Sequence, residues 1–314
     1  MGNERIIDTL RGMQDQEKTY SLPEFMVEIL QSRSSLQDSS KKEVAERVDL
    51  ATYFSRRTQM IEWCDMLIDT CEYDKELVEI TMSLIDRYVA TNTELMMDSD
   101  LYQLAVVASI YTAAKVHEES CLTPDQMEEL ADGKFTAEQI VTIELDILMA
   151  LGFKVNPPTP STFSRCLLEL FPKILVSERS LLEDIIEVQL ELALSDDFLI
   201  TCKPSSLSCA VVMNALQTIP QKANISFYWD VIAQALHLDP KQSKASLINI
   251  RKYVNGLVLE SLKNDEEKEE KEECISLDEK LSPKHSKQQQ TKIYRGRSNS
   301  SERSRTRTYA GRAA

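Results

Sequence analysis

The chain has 314 residues, 42% hydrophobic and 28% charged, with a formal net charge of −15. That length holds one large domain or two of about 100–150 residues, and the composition fits a packed soluble core. The acidic balance argues against a folded nucleic-acid binder, which would cluster Lys and Arg against phosphates, and only seven glycines favour helices on short turns over a Gly-rich barrel.

The opening stretch, MGNERIIDTL, has no basic region followed by an apolar run, and Ile6 stands where a myristoylation signal needs Ser or Thr. Residues 1–54 form an N-terminal extension holding one short apolar segment, 22–30, and then a polar stretch rich in Ser and Lys. From Arg57 the helical pattern is strong: Met60, Ile61, Cys64, Leu67, Ile68 and Cys71 recur with a period near 3.6. Asp74 can cap the next helix, whose stripe is Leu77, Ile80, Leu84, Ile85 and Tyr88.

A third helix over 99–117 is apolar nearly all round, as a helix surrounded by others must be, and is expected to be the hub of a bundle. Its apolar run is broken by Gln103 and fits a buried helix rather than a membrane span. Thr123-Pro124-Asp125-Gln126 then reads as cap, first-turn Pro and capping-box Gln. Asp132-Gly133 marks a turn, and Thr136 with Gln139 is a second capping box opening a helix to about Leu151.

Gly152 and the run Asn156-Pro157-Pro158-Thr159-Pro160 stop the pattern, and so short a Pro-rich linker holds two halves in a fairly fixed relation. Helical signals recur over 161–171, 178–195, 204–218, 226–237 and 240–262. Five helices, a linker and five more suggest a structural duplication, carried by element order alone. From Lys263 the character changes: a charge run over 264–273 precedes a remainder rich in Ser, Gln, Lys and Arg, so 264–314 is expected to be disordered.

The seven Cys show no CxxC spacing, and the pairs Cys64/Cys71 and Cys202/Cys209 lie on helical stripes as small buried hydrophobes. His117, His237 and His285 share no ligand spacing, so neither a metal nor another cofactor is expected. Gly-rich phosphate loops, GxSxG, HExxH and nucleophile–His spacings are all missing, which leaves no catalytic residue to nominate. What stands out is a set of polar residues in apolar helices. Glu144 sits on the stripe of Ile140, Ile147 and Leu148, where a carboxylate is costly unless paired or facing a partner. Lys115 closes the hub helix. Each also has a plain structural reading: Lys115 complements a helix C-terminus, Glu144 is a rim residue, and Arg57 with Asp86 is an ordinary ion pair.

Together these residues resemble the cyclin family. Arg57-Thr-Gln-Met-Ile-Glu-Trp63 is similar to the opening of the cyclin box, and Ser83-Leu-Ile-Asp-Arg-Tyr88 to its second-helix signature. The stretch from Leu104 to Ala113-Ala114-Lys115 resembles its hub helix, and Glu144 takes the place of its acidic residue. Phe198 through Lys203-Pro204-Ser205 resembles the second repeat, so the likeness covers about 55–262. It implies an all-α fold of two tandem five-helix cyclin repeats with a disordered C-terminal tail: 1–54 extension, 55–155 first repeat, 156–263 second repeat, 264–314 tail.

The resemblance further implies a non-catalytic subunit, in the nucleus and cytoplasm, that binds and activates a cyclin-dependent protein kinase in cell-cycle control. In the family, the equivalents of Lys115 and Glu144 converge on the backbone around the kinase αC helix, with Leu104 in the kinase-binding set and Arg57–Asp86 as an internal pair. Protein substrates of that kinase are further partners; nucleic acid and membrane are not. A transcription-associated cyclin is the alternative within the fold. A cyclin-fold transcription factor would want a basic fold and an N-terminal zinc ribbon, which this chain lacks.

The sequence also departs from the family. The groove that docks Arg-x-Leu peptides in many cell-cycle cyclins maps to Gln59, Met60, Trp63, Met66 and Gln103, but Arg56, Gln59 and Met66 replace a Met, an Ile and an acid. Without the acid, the usual Arg-x-Leu docking is expected to be negligible. Trp63 has its own reading as a core anchor. Arg33 and Leu36 carry the Arg-x-x-Leu core of a destruction box, Ser282-Pro283 is a candidate phosphosite, and the basic run from Lys292 to Arg312 suits nuclear import or acidic surfaces.

Overall fold

The structure, a computed structural model, describes residues 2–31, 50–171, 178–218, 225–238 and 242–281. It divides into two units, Met1–Lys263 and Asn264–Ala314. Among the described residues the chain is all helical: α1 Gly2–Tyr20, α2 Glu24–Gln31, α3 Leu50–Cys71, α4 Glu76–Thr91, α5 Ser99–His117, α6 Pro124–Leu130, α7 Ala137–Ala150, α8 Pro160–Glu169, α9 Arg179–Ser195, α10 Pro204–Thr218, α11 Ile225–Ala235 and α12 Gln242–Leu281. Short 3-10 turns at Thr93–Met96 and Leu199–Thr201 complete it.

Helices α3 to α7 make the first five-helix repeat. α5 is its hub, packed on α3, α4, α6 and α7, with Ala105, Val106, Ala108, Ile110 and Ala113 fully buried. Small Ala side chains at the hub let neighbouring helices approach closely, and Asp98 caps the helix by accepting from the Asp100 and Leu101 amides. Both expected capping boxes form, Thr123 with Gln126 and Thr136 with Gln139. Asp74 accepts from the Glu76 amide and so serves the first turn of α4. α3 begins two turns earlier than its sequence stripe, because Tyr53 is buried against the Tyr102 ring of α5.

Helices α8 to α12 form the second repeat around a hub of the same kind, α10, in which Ala210, Val211, Val212, Ala215 and Leu216 are fully buried. Pro160 at the first turn of α8 and Thr159 as its cap use the linker residues to start this repeat.

Two elements differ from the sequence expectation. The N-terminal extension is not only a short apolar segment: α1 packs its Leu10 and Met13 into the core of the second repeat, against α8, α10 and α11. Its Glu17 carboxylate accepts from the Ser205 amide and hydroxyl, closing the start of α10. The stripe Ile6, Ile7, Leu10, Met13 lies among charges that mask its period in the sequence. The second difference is α12, which runs through the charged stretch as far as Leu281 instead of ending near Lys263. Arg33 and Leu36, the Ser282-Pro283 pair and the basic run from Lys292 lie outside the described residues.

Candidate functional site

Lys115 and Glu144 come from different helices, the end of α5 and the middle of α7, and the packing of these two helices brings them together. Lys115 Nζ donates to Glu144 Oε1 at 2.8 Å and stands 4.8 Å from the centre of the Tyr111 ring. Burial works to lower the Lys115 pKa, but the Glu144 hydrogen bond and charge outweigh it and hold the ammonium above its usual value. The pair is asymmetric: the Glu144 side chain is 8% exposed and that of Lys115 40%. A nearly buried carboxylate is thus covered by a partly exposed cation.

The surface beside this pair is apolar. α7 buries Ile140 and Ile147 against the first repeat, but Val141, Leu145 and Met149, one helical turn apart, are exposed on another face, with Val116 of α5 also exposed. Glu144 marks the border between the two faces. A helix apolar on two sides and covered on one is the pattern of a surface awaiting a partner.

The end of α7 extends that surface. The Phe153 amide bonds the Leu148 carbonyl at 2.8 Å and the Gly152 amide bonds that of Met149 at 3.1 Å, a Schellman closure with Gly152 at φ +56°. Phe153 follows at φ +58°, a conformation that a bulky residue adopts at a cost, and its ring is 66% exposed. The backbone here is held so as to present an aromatic side chain to solvent. Sequence reasoning missed these residues, although Val141, Leu145 and Met149 at spacing four were a readable signal.

Leu104, expected in the partner-binding set, is 8% exposed and packs in the first-repeat core. That burial belongs to a helix packed on α3, α4, α6 and α7. Arg57 is 1% exposed and makes a two-point bond to Asp86, Nε to Oδ1 at 3.0 Å and Nη2 to Oδ2 at 2.8 Å. Its remaining terminal nitrogen, Nη1, donates to the Leu194 carbonyl in α9 of the second repeat. Full burial opposes the charge on Arg57, and Asp86 restores it, keeping the guanidinium protonated.

The groove residues are spread differently. On α3, Gln59 and Met66 are exposed, Trp63 is partly buried against the core and Met60 is buried. Gln103 is engaged from below, its Oε1 accepting from Lys134 Nζ at 2.6 Å, while Arg56 donates to the Met96 carbonyl at 2.8 Å. The rim therefore carries Arg56 and Lys134. Cys64 and Cys209 are buried and burial pushes their thiols up, whereas Cys71 and Cys202 are only partly covered. Among the described residues no group of His, Cys, Asp and Glu could hold a metal ion, and no helix is long and apolar enough to cross a membrane.

The family model for the cyclin N-terminal domain matches residues 26–156, which contain the first repeat and both Lys115 and Glu144. The chain is similar to cyclin-A3-2 of Arabidopsis thaliana, 29% identical over 120 residues, covering 38% of this chain and 32% of that protein. It is 24% identical over 209 residues to cyclin-A3-2 of Oryza sativa subsp. japonica, covering 64% of this chain and 53% of the relative. It is also 31% identical over 109 residues to G1/S-specific cyclin-E1 of Gallus gallus, covering 33% of this chain and 25% of that protein. The matches thus span between a quarter and about half of those relatives. A solved viral cyclin from herpesvirus saimiri superposes with a TM-score of 0.57 at 18% identity, over 79% of this chain and 97% of the viral one, which shows the fold beyond the first repeat.

Proposed function

We propose, because the chain belongs to the cyclin family, that it is a non-catalytic regulatory subunit that binds a cyclin-dependent protein kinase and switches it on. The observation that carries this is the exposed apolar face of α7, ending in Phe153 and bordered by the Lys115–Glu144 pair. A kinase is active when its β3 Lys is paired with the Glu of its αC helix. The apolar face supplies contact area for that helix, while Lys115 offers donors to backbone carbonyls and Glu144 offers acceptors to amides. A surface that fits the active position of αC better than the inactive one shifts the kinase population toward activity. The similarity to A-type, E-type and G2/mitotic-specific relatives supports cell-cycle control over transcription, and a nuclear and cytoplasmic location accompanies that role.

The test is co-purification of a kinase with the chain and measurement of its activity. Replacing Lys115 and Glu144 together by Ala removes charge-assisted bonds worth on the order of 1.5–3 kcal/mol each, so kinase binding falls by at least about a hundredfold. Phe153→Ser weakens binding too, by removing an exposed ring that the fold itself does not need. Thermal unfolding stays close to the parent in both. A folded double variant that still retains and activates the kinase overturns the assignment of the site.

A further inference from the structure

A cleft of about 360 Å³ opens between the two repeats, on a different set of helices from the kinase-binding face. Its walls are the residues leading into α4 and the facing sides of α8 and α9, and its floor is Leu168, Ile186 and Leu190. Four carboxylates line it, Asp74 and Glu76 from the first repeat and Glu183 and Glu187 from the second, against two cations, Lys75 and Arg165. The cations are oversubscribed. Lys75 is shared by Glu187 at 2.7 Å and Glu191 at 3.2 Å, and Arg165 bonds Glu76 while lying 4.0 Å from Asp74.

Ser164 is the second observation. It lines the same cleft, is 2% exposed, and its Oγ has no hydrogen-bond partner among the described residues. A helical Ser ordinarily donates to the carbonyl four residues back. Here that carbonyl, on Pro160, accepts from Ser208 Oγ at 2.7 Å instead. A buried hydroxyl left without a partner is a standing cost that an incoming polar group removes.

We propose that this cleft docks a Lys- or Arg-bearing segment of a protein partner, with the cation among Asp74, Glu183 and Glu187, its aliphatic stem on Leu168, Ile186 and Leu190, and a polar group of the segment bonded to Ser164 Oγ. Long basic side chains suit a site with an apolar floor and an acidic mouth. The ion pairs already present, Lys75 with Glu187 and Glu191 and Arg179 with Glu183 at 2.7 Å, are exposed and individually weak, so an arriving cation exchanges with Lys75 and Arg179 at little cost.

The experiment is fluorescence anisotropy on the full chain with a fluorescein-labelled Gly-Ala-Lys-Arg-Ala-Gly amide, and a Glu-Glu version of the same peptide as control. Saturable binding of the basic probe alone is expected, weakening by about tenfold when Glu183→Gln and Glu187→Gln are combined. Ser164→Ala weakens it by about fivefold while leaving thermal stability equal or higher, since it removes the unpartnered hydroxyl. Both sets retain kinase co-purification, which separates this cleft from the α7 face. Binding that is absent, shared by the acidic control, or unchanged in the Glu183/Glu187 variant means only a general attraction to an acidic chain and overturns the proposal. So does an unchanged affinity in folded Ser164→Ala.

Discussion

Arg57 takes a full charge into the interior and survives there because every face of its guanidinium is bonded, two nitrogens to Asp86 and one to the Leu194 carbonyl. Removing one member of such a buried pair leaves the other charged without a partner. Arg57→Met is therefore expected to lower unfolding free energy by about 3–5 kcal/mol in urea titrations. Arg57→Lys loses much of the same stability, since an ammonium cannot make the two-point bond; a fully stable Lys variant would show that charge alone suffices. The Asp86 partner was legible in the sequence through the cyclin-box likeness. The Leu194 carbonyl was not, because a backbone oxygen 137 positions away carries no residue-type signal.

At the scale of elements, α1 shows how far a terminal helix can act from its place in the chain. Its Leu10 is fully buried in the second repeat, alongside Phe163 and Leu167 of α8. Leu10→Ala opens a cavity there, and a loss of about 2–5 kcal/mol is expected in chemical denaturation. A loss under about 0.5 kcal/mol would mean that α1 does not hold that core together. α7 presents the opposite case: its apolar periodicity is plain in the sequence, but which of its two apolar faces is covered depends on where α5 lies. The first repeat leaves Val141, Leu145 and Met149 outside.

For the whole molecule, the joint between the repeats contains a polar cluster. Glu79 of α4 accepts from the Ser161 amide at 3.1 Å and the Ser161 hydroxyl at 2.7 Å at the start of α8, while neighbouring Glu76 bonds Thr159, Thr162 and Arg165. Burial pushes the Glu79 carboxyl up to about 7, with Glu76 adding to the rise and the Ser161 bonds and Arg165 opposing it. A carboxyl raised in the folded state contributes stability at low pH that is lost as pH climbs through the folded value. The chain is thus expected to gain on the order of 2 kcal/mol from this group between pH 8 and pH 5. Glu79→Gln keeps an acceptor for the amide and a donor for the hydroxyl, so it flattens that slope and is the more stable form at pH 8. Parallel stability–pH curves for parent and variant would refute this origin.

Local chemistry in the sequence determined the helices, their caps and the doubled order of elements, because apolar period, Thr-x-x-Gln boxes and Pro punctuation act over a few residues. The cyclin-box likeness placed Lys115 and Glu144 at one site by analogy. Only the tertiary structure decided that α1 completes the second core, that Leu104 faces inward, that Arg57 reaches across to the second repeat, and that the Ser164 hydroxyl stands alone. Each of these depends on which groups meet across more than a hundred residues or on which faces remain uncovered, and burial is a property of the packed chain rather than of any segment of it.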